Sequence, residues 1–266
     1  MKTFLNAAFG LALLTTIQVP FAHSQERDPV CETNPVDLSS VEGYCTLTPE
    51  TYGVNIYEMG LCKINPISSG SFSANSCVVT LSNITPIAAN MANGNSLILK
   101  SEKTLDRPRT GEYGFAYIII EDDFRLKFSY TLNNIVYYSN GVNSSSSLPV
   151  DNVKSIAPSV PFVETLNNFG GPEGFLATGS AIVEGGTINA LLTDNNLTAA
   201  TSAASVTRLI GVYIPTSKVK ITDGTVGLEV QFVVTNQGGG LEGCDGDNTK
   251  VCRFGSGPFS AKFKPF

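Results

Sequence analysis

The sequence predicts an all-β fold: one or more antiparallel β-sandwiches, stapled by disulfides and carrying little helix. Three observations carry that prediction. Apolar and polar residues alternate with period two, short turn pairs separate the alternating stretches, and six cysteines form an even, locally spaced set.

The clearest alternation is Phe124-Arg-Leu126-Lys-Phe128-Ser-Tyr130-Thr-Leu132, which puts its apolar residues on one face and its polar residues on the other. That is the pattern of a strand with one wet face. Asn133-Asn134 then predicts a two-residue turn that sets Leu132 opposite Ile135 and Tyr130 opposite Tyr137. Asp223-Gly224 predicts a type I′ hairpin pairing Ile221 with Val226, Val219 with Leu228 and Lys218 with Glu229. Gly185-Gly186 predicts a third hairpin, joining residues 175–184 to 187–193. Further strands are expected at residues 52–57, 77–81, 96–99, 113–120, 209–214 and 259–263, with 113–120 apolar on both faces and therefore central. Residues 198–206, rich in Ala, read as a short helix.

Residues 141–160 are dense in Ser, Asn and Pro and read as a linker or long loop. They would separate an N-terminal β-sandwich module over 25–140 from a C-terminal β-rich module over 161–266, with one continuous domain as the alternative. Residues 1–24 read as a signal peptide: Lys2 precedes an apolar stretch from Phe4 to Ile17, and Ala22-His23-Ser24 gives the small-x-small pattern. The stretch is too short for a membrane span. Secretion is therefore expected, to the extracellular space, the cell surface or a periplasm. Behind a signal peptide the cysteines read as disulfides, and their spacing suggests Cys31–Cys45, Cys62–Cys77 and Cys244–Cys252.

The strands at 52–57 and 77–81, followed by Gly111-Glu112-Tyr113 opening an apolar strand, resemble a prealbumin-like or Cna-B-like β-sandwich module over about residues 50–130. The resemblance implies an extracellular binding or stalk-like module, and no catalytic residues carry over with it.

Composition excludes several chemistries. A formal charge of −6 without basic clusters argues against nucleic acid as a partner. The one histidine, His23, lies in the leader, so Ser-His-Asp triads, Cys-His pairs and most catalytic zinc sites are not expected. Gly238-Gly239-Gly240 precedes no helix and does not read as a phosphate cradle. Glu121-Asp122-Asp123 follows the central strand and reads as a solvated polar turn, since adjacent carboxylates do not by themselves flank a substrate bond. In Cys244-Asp-Gly-Asp-Asn-Thr-Lys-Val-Cys252, Asp245, Asp247 and Thr249 alternate like the opening of a calcium loop. Ser256 then falls where the bidentate Glu belongs, so a disulfide-closed polar turn is the reading, with Asp245 and Asp247 as calcium candidates. No cofactor is indicated. Phe266 ends the chain as in outer-membrane barrels, but Lys262 and Lys264 occupy positions such a barrel needs apolar.

These readings converge on a secreted, non-catalytic structural or adhesive subunit, partnered by copies of itself or by a surface. The alternatives are a module binding a glycan or small ligand, a virion structural or fibre protein and, last, a carboxylate hydrolase. No membrane span is expected.

Overall fold

Alternating patterns broken by Gly, Asn and Pro make many short strands, and the computed structural model describes them over residues 27–32, 35–93, 107–170 and 174–266. In chain order they are β1 (Tyr44–Leu47), β2 (Thr51–Cys62), β3 (Ile67–Ser68), β4 (Ser71–Phe72), β5 (Cys77–Asn90), β6 (Gly111–Tyr113) and β7 (Phe115–Ile120). Next come β8 (Asp123–Lys127), β9 (Ser129–Leu132), β10 (Ile135–Ser139), β11 (Ser144–Ser145), β12 (Val153–Lys154), β13 (Phe162–Thr165) and β14 (Thr178–Val183). The chain closes with β15 (Gly186–Thr193), β16 (Arg208–Pro215), β17 (Val219–Ile221), β18 (Leu228–Val233), β19 (Gly239–Cys244), β20 (Asp247–Ser256) and β21 (Ser260–Pro265).

A nine-stranded sheet is the frame, in the order β11-β13-β8-β2-β7-β16-β15-β14, with β5 also paired to β2. Its ladders are antiparallel except β11 with β13. β7 and β8 lie in succession along one edge of β2, with Ile56 opposite Ile120 and Gly53 opposite Arg125. Between them the chain bulges at Glu121 and Asp122, re-aiming its halves so that β7 pairs with β16 and β8 with β13. One face of this sheet packs against a second layer, β1-β19-β20 with the β18-β21 ribbon. Phe128 stacks on Phe254 at 5.0 Å, and Tyr52 meets Phe124 and Phe259 edge-on at 5.5 and 6.0 Å. On the other face Tyr117, Ile119 and Ile210 are covered by Ile67 and Phe72 of the β3-β4 hairpin.

The three disulfides are Cys31–Cys45, Cys62–Cys77 and Cys244–Cys252, closing separations of 14, 15 and 8 residues. Each such loop contributes about 2–3 kcal/mol by restricting the unfolded chain. Asn133 and Asn134 take φ of 51° and 62°, as a type I′ turn requires, and Leu132 faces Ile135 while Tyr130 faces Tyr137. The third expected hairpin forms one residue earlier: Val183 pairs with Gly186, and Glu184-Gly185 is the turn, with Gly185 at φ 78°.

Other expectations are corrected. The alternating stretch 124–132 is not one strand: the chain leaves the large sheet at buried Phe128, and β9 pairs with β10 instead. Residues 113–120 divide at Gly114, with Tyr113 pairing into β17 and β7 remaining central. Residues 198–206 give a 3-10 turn, Ala203–Ser205, held by Ser202 and Ser205, because the segment is bridged to the sheet at Thr193 and Ala199. The expected strand at 96–99 and the signal peptide lie outside the described residues.

The Asp223-Gly224 hairpin does not form. β17 pairs with β6 and β18 with β21, so Lys218 approaches Glu112 and Glu229 approaches Lys264, each at 3.8 Å. Distant partners win because they bury more: Val219 and Ile221 close a core with Leu61, Tyr113 and Ala116, which an isolated two-stranded ribbon lacks. Residues 222–225 make a simple turn, with Thr225 N–H donating to Thr222 O at 3.1 Å and Arg107 donating to both residues' carbonyls. Gly224 does not take the left-handed conformation, and a Cβ there would meet only Thr222 Oγ1 at 3.9 Å. Gly224→Ala is therefore expected to change unfolding free energy by less than about 0.5 kcal/mol, where a type I′ turn would lose more. Denaturant titration of the variant checks this.

Residues 141–160 do not behave as a tether. They carry β11 and β12, and Asn152 is fully buried against β20. Strands from both flanks alternate in the nine-stranded sheet, and β1 pairs with β19 across nearly the whole chain.

Candidate functional site

Small residues on the inner face of β14 and β15 leave the two layers apart at one end. The result is a cavity of about 690 Å³, walled by Tyr52, Phe124, Leu166, Phe169, Leu209 and Phe259, with Ala190 on its floor. A second void between the layers, near Met59 and Phe232, measures about 30 Å³ and has room only for something the size of water. The larger cavity is built rather than left over. A Cβ on Gly179 would lie 2.8 Å from the Phe169 ring, so glycine at that point lets the ring lie on the strand. Buried Asn168 shapes the rim: its Oδ1 accepts from the N–H groups of Gly170 and Leu176 at 2.9 Å each, and its Nδ2 donates to Gly174 O at 3.1 Å.

A polar group of residues lies next to the cavity, behind Tyr44, Tyr52 and Ser256 of its lining. Phe162 and Glu164 share one face of β13 by alternation, Leu166 follows just past its end, and Glu164 is directly opposite Phe124. The Glu164 carboxylate lies over Gly255, where a Cβ would be 3.1 Å from Oε1, and it accepts a hydrogen bond from Ser256 N–H. Gly240, paired with Gly255, lies under the Tyr44 ring, 2.9 Å from where its Cβ would be. Two facing glycines thus seat a carboxylate and a tyrosine side by side. Burial pushes the Glu164 carboxyl up, and Glu242 adds to the rise against the hydrogen bonds from Ser256. Burial likewise raises the Tyr44 and Tyr52 hydroxyls, and Tyr52 donates to Gly257 O at 2.8 Å. Glu164 keeps partial solvent access; Tyr44, Tyr52, Phe124 and Ser256 around it line the cavity, and Glu164 itself does not. No ion pair among the described residues includes it. The signal was present in the sequence as a Glu on the apolar face of Phe162-x-Glu-x-Leu166.

Glu121, Asp122 and Asp123 are not a solvated turn. Glu121 accepts from Asn55 Nδ2 at 2.6 Å and from the Tyr57 hydroxyl at 3.1 Å, and Arg208 stacks on the Tyr57 ring at 4.0 Å. Asp123 accepts from Thr165 Oγ1 at 2.6 Å, and Asp122 O accepts from Leu166 N–H at 2.7 Å. Desolvation raises the Asp122 carboxyl to about 6, helped by Asp123 and Glu121. Glu58, on the same strand as Tyr57, accepts from the Tyr117 hydroxyl at 2.7 Å and from Ser82 at 3.2 Å. The acidic groups here are engaged by the protein's own donors.

The calcium candidates are also engaged. Asp247 accepts from Thr249 and pairs with Lys250 at 2.9 Å, which holds it down at about 2, and Asp245 reaches Arg253 at 3.5 Å. Among the described residues no group of three or more His, Cys, Asp or Glu side chains is placed to hold a metal.

Comparison with protein-family models, with curated proteins and with solved structures finds no match to this chain. No helix among the described residues is long and apolar enough to cross a membrane. The reading of function therefore rests on the cavity and its surroundings.

Proposed function

We propose that this protein is an exported binding module that holds an apolar small molecule between the layers of its sandwich. The cavity carries the reading: at about 690 Å³ it falls within the roughly 300–1,000 Å³ typical of small-molecule sites, and its walls are mostly apolar with a few convergent polar groups. A purely structural subunit gains nothing from such a space, because unfilled volume forfeits packing contacts. The leader-like N-terminal segment supports export, and three disulfides fit an oxidising compartment.

An environment-sensitive apolar dye should bind saturably at one site. The absence of Trp leaves a clear spectral window for the titration. Ala190→Phe places a ring in the cavity and is expected to weaken the dye at least about tenfold while the protein stays folded. Unsaturable binding, or binding indifferent to Ala190→Phe in a folded variant, would sink the proposal.

One observation favours a structural or adhesive reading as the second choice. Among the described residues β14 ends the large sheet and pairs only with β15 in its ladder, and it leaves Ile182 40% exposed. An open edge of this kind templates strand addition from another chain. Concentration-dependent sedimentation distinguishes the two readings, since a ligand carrier stays at one mass.

A further inference from the structure

Among the described residues, none of those lining the larger cavity is charged. Glu164 lies behind the lining, where Ser256 engages it, and its neighbour Glu242 is paired with Arg253 at 2.6 Å. A charged ligand would therefore enter without a counter-charge, and burying an unpaired charge is costly. An anion would in addition meet Glu164, Glu242 and Asp28, whose charges act on the Tyr44 hydroxyl at the cavity wall.

Most polar side chains at the cavity are engaged elsewhere. The Tyr52 hydroxyl donates to Gly257 O at 2.8 Å, and Ser256 donates to Glu164. Ala190 and Gly179 occupy the inner faces of β15 and β14. Alternation therefore turns the side chains of Asn189, Thr178 and Ser180 to the opposite face, where Leu191 and Val212 pack. Tyr44 is the exception. Its ring lies on Gly240, and its hydroxyl has no hydrogen-bond partner among the described residues. A phenol kept neutral by burial and acidic surroundings is a donor, and its natural partner is an acceptor oxygen.

We propose that the ligand is an uncharged, lipid-like molecule bearing a ketone or ester carbonyl, whose oxygen accepts from the Tyr44 hydroxyl while its apolar body lies against Phe169, Leu209 and Phe259. This rests on the small-ligand reading above and adds the charge and the head group of the ligand. A single placed donor in an apolar wall fixes orientation without demanding a charge.

The test titrates the full chain calorimetrically at pH 7.5 with 2-undecanone, decanoate and decylamine, each below its solubility or micellar limit. The ketone should bind at least about tenfold more tightly than either ion. Tyr44→Phe keeps the ring and removes the donor. It should weaken the ketone about threefold to tenfold and leave the apolar dye within about twofold. The ranking of the three probes on the unaltered protein decides the matter where the variant does not fold. If the dye binds, any of three results would overturn this assignment and leave the apolar-cavity reading standing: no binding of the ketone, an ion that binds as tightly as the ketone, or a ketone affinity that Tyr44→Phe leaves unchanged. Failure of the dye and of all three probes would overturn both.

Discussion

Asn152→Ala is expected to lower unfolding free energy by roughly 3–5 kcal/mol, measured by chemical denaturation. Asn152 is fully buried, and its amide satisfies both backbone groups of Phe254, accepting from the N–H at 2.9 Å and donating to the C=O at 2.8 Å. Its own backbone is fixed as well, with N–H donating to Cys252 O and C=O accepting from Asn140. Alanine would strand a donor and an acceptor away from water, each costing about 1–3 kcal/mol. The neighbourhood cannot relax freely, because Phe254 is stacked on Phe128 in the centre of the core. Asn152→Asp should be nearly as damaging, since a carboxylate keeps the contact with the N–H but faces the carbonyl with like partial charge. A loss under about 1 kcal/mol for alanine would restore the linker reading of residues 141–160.

That residue marks where the sequence stops being legible. Features written in neighbouring residues were readable: the Asn133-Asn134 turn, the local cysteine pairs and the all-β alternation all depend on short-range geometry. Features set by distant partners were not. Asp223-Gly224 satisfied turn chemistry, hydrophobic pattern and charge pairing together, yet β6 and β21 supply larger apolar surfaces from elsewhere in the chain. Asn152 looked like one more polar residue in a Ser- and Asn-rich stretch because Phe254 is about a hundred residues away. Glu121 looked solvated because Asn55 and Tyr57 meet it only across the ladder. The cavity lies between these cases. Glu164 breaks an apolar alternation within three positions, but only the pairing of β13 with β8 shows that its face points inward.

Stability is expected to be greatest on the acid side of neutrality and to fall as the pH rises through about 4 to 6, where Asp122 ionises in the folded state. Burial raises the Glu164 carboxyl above its ordinary 4.5, so the folded state holds that proton more tightly than the unfolded chain. Ionising it above its ordinary range costs the folded state more than the unfolded chain. Asp122 has the same sign, with desolvation moving it from 3.8 to about 6, so its penalty develops between about pH 4 and 6. The acid limb has the opposite origin. Asp247, held down by Thr249 and Lys250, and Glu50, whose bonds to Ser129, Lys127 and Ser159 outweigh its burial, stabilise the fold when ionised and lose that contribution below about pH 4. The other titratable groups facing Glu164 are Glu242, Tyr44 and Tyr52, and the tyrosines, raised by burial, stay neutral throughout this range. Thermal melts between pH 3 and 8 should show the maximum, and Glu164→Gln should make the fall on its alkaline side shallower. A profile that climbs steadily to pH 8, or one that Glu164→Gln leaves unchanged, would refute the assignment.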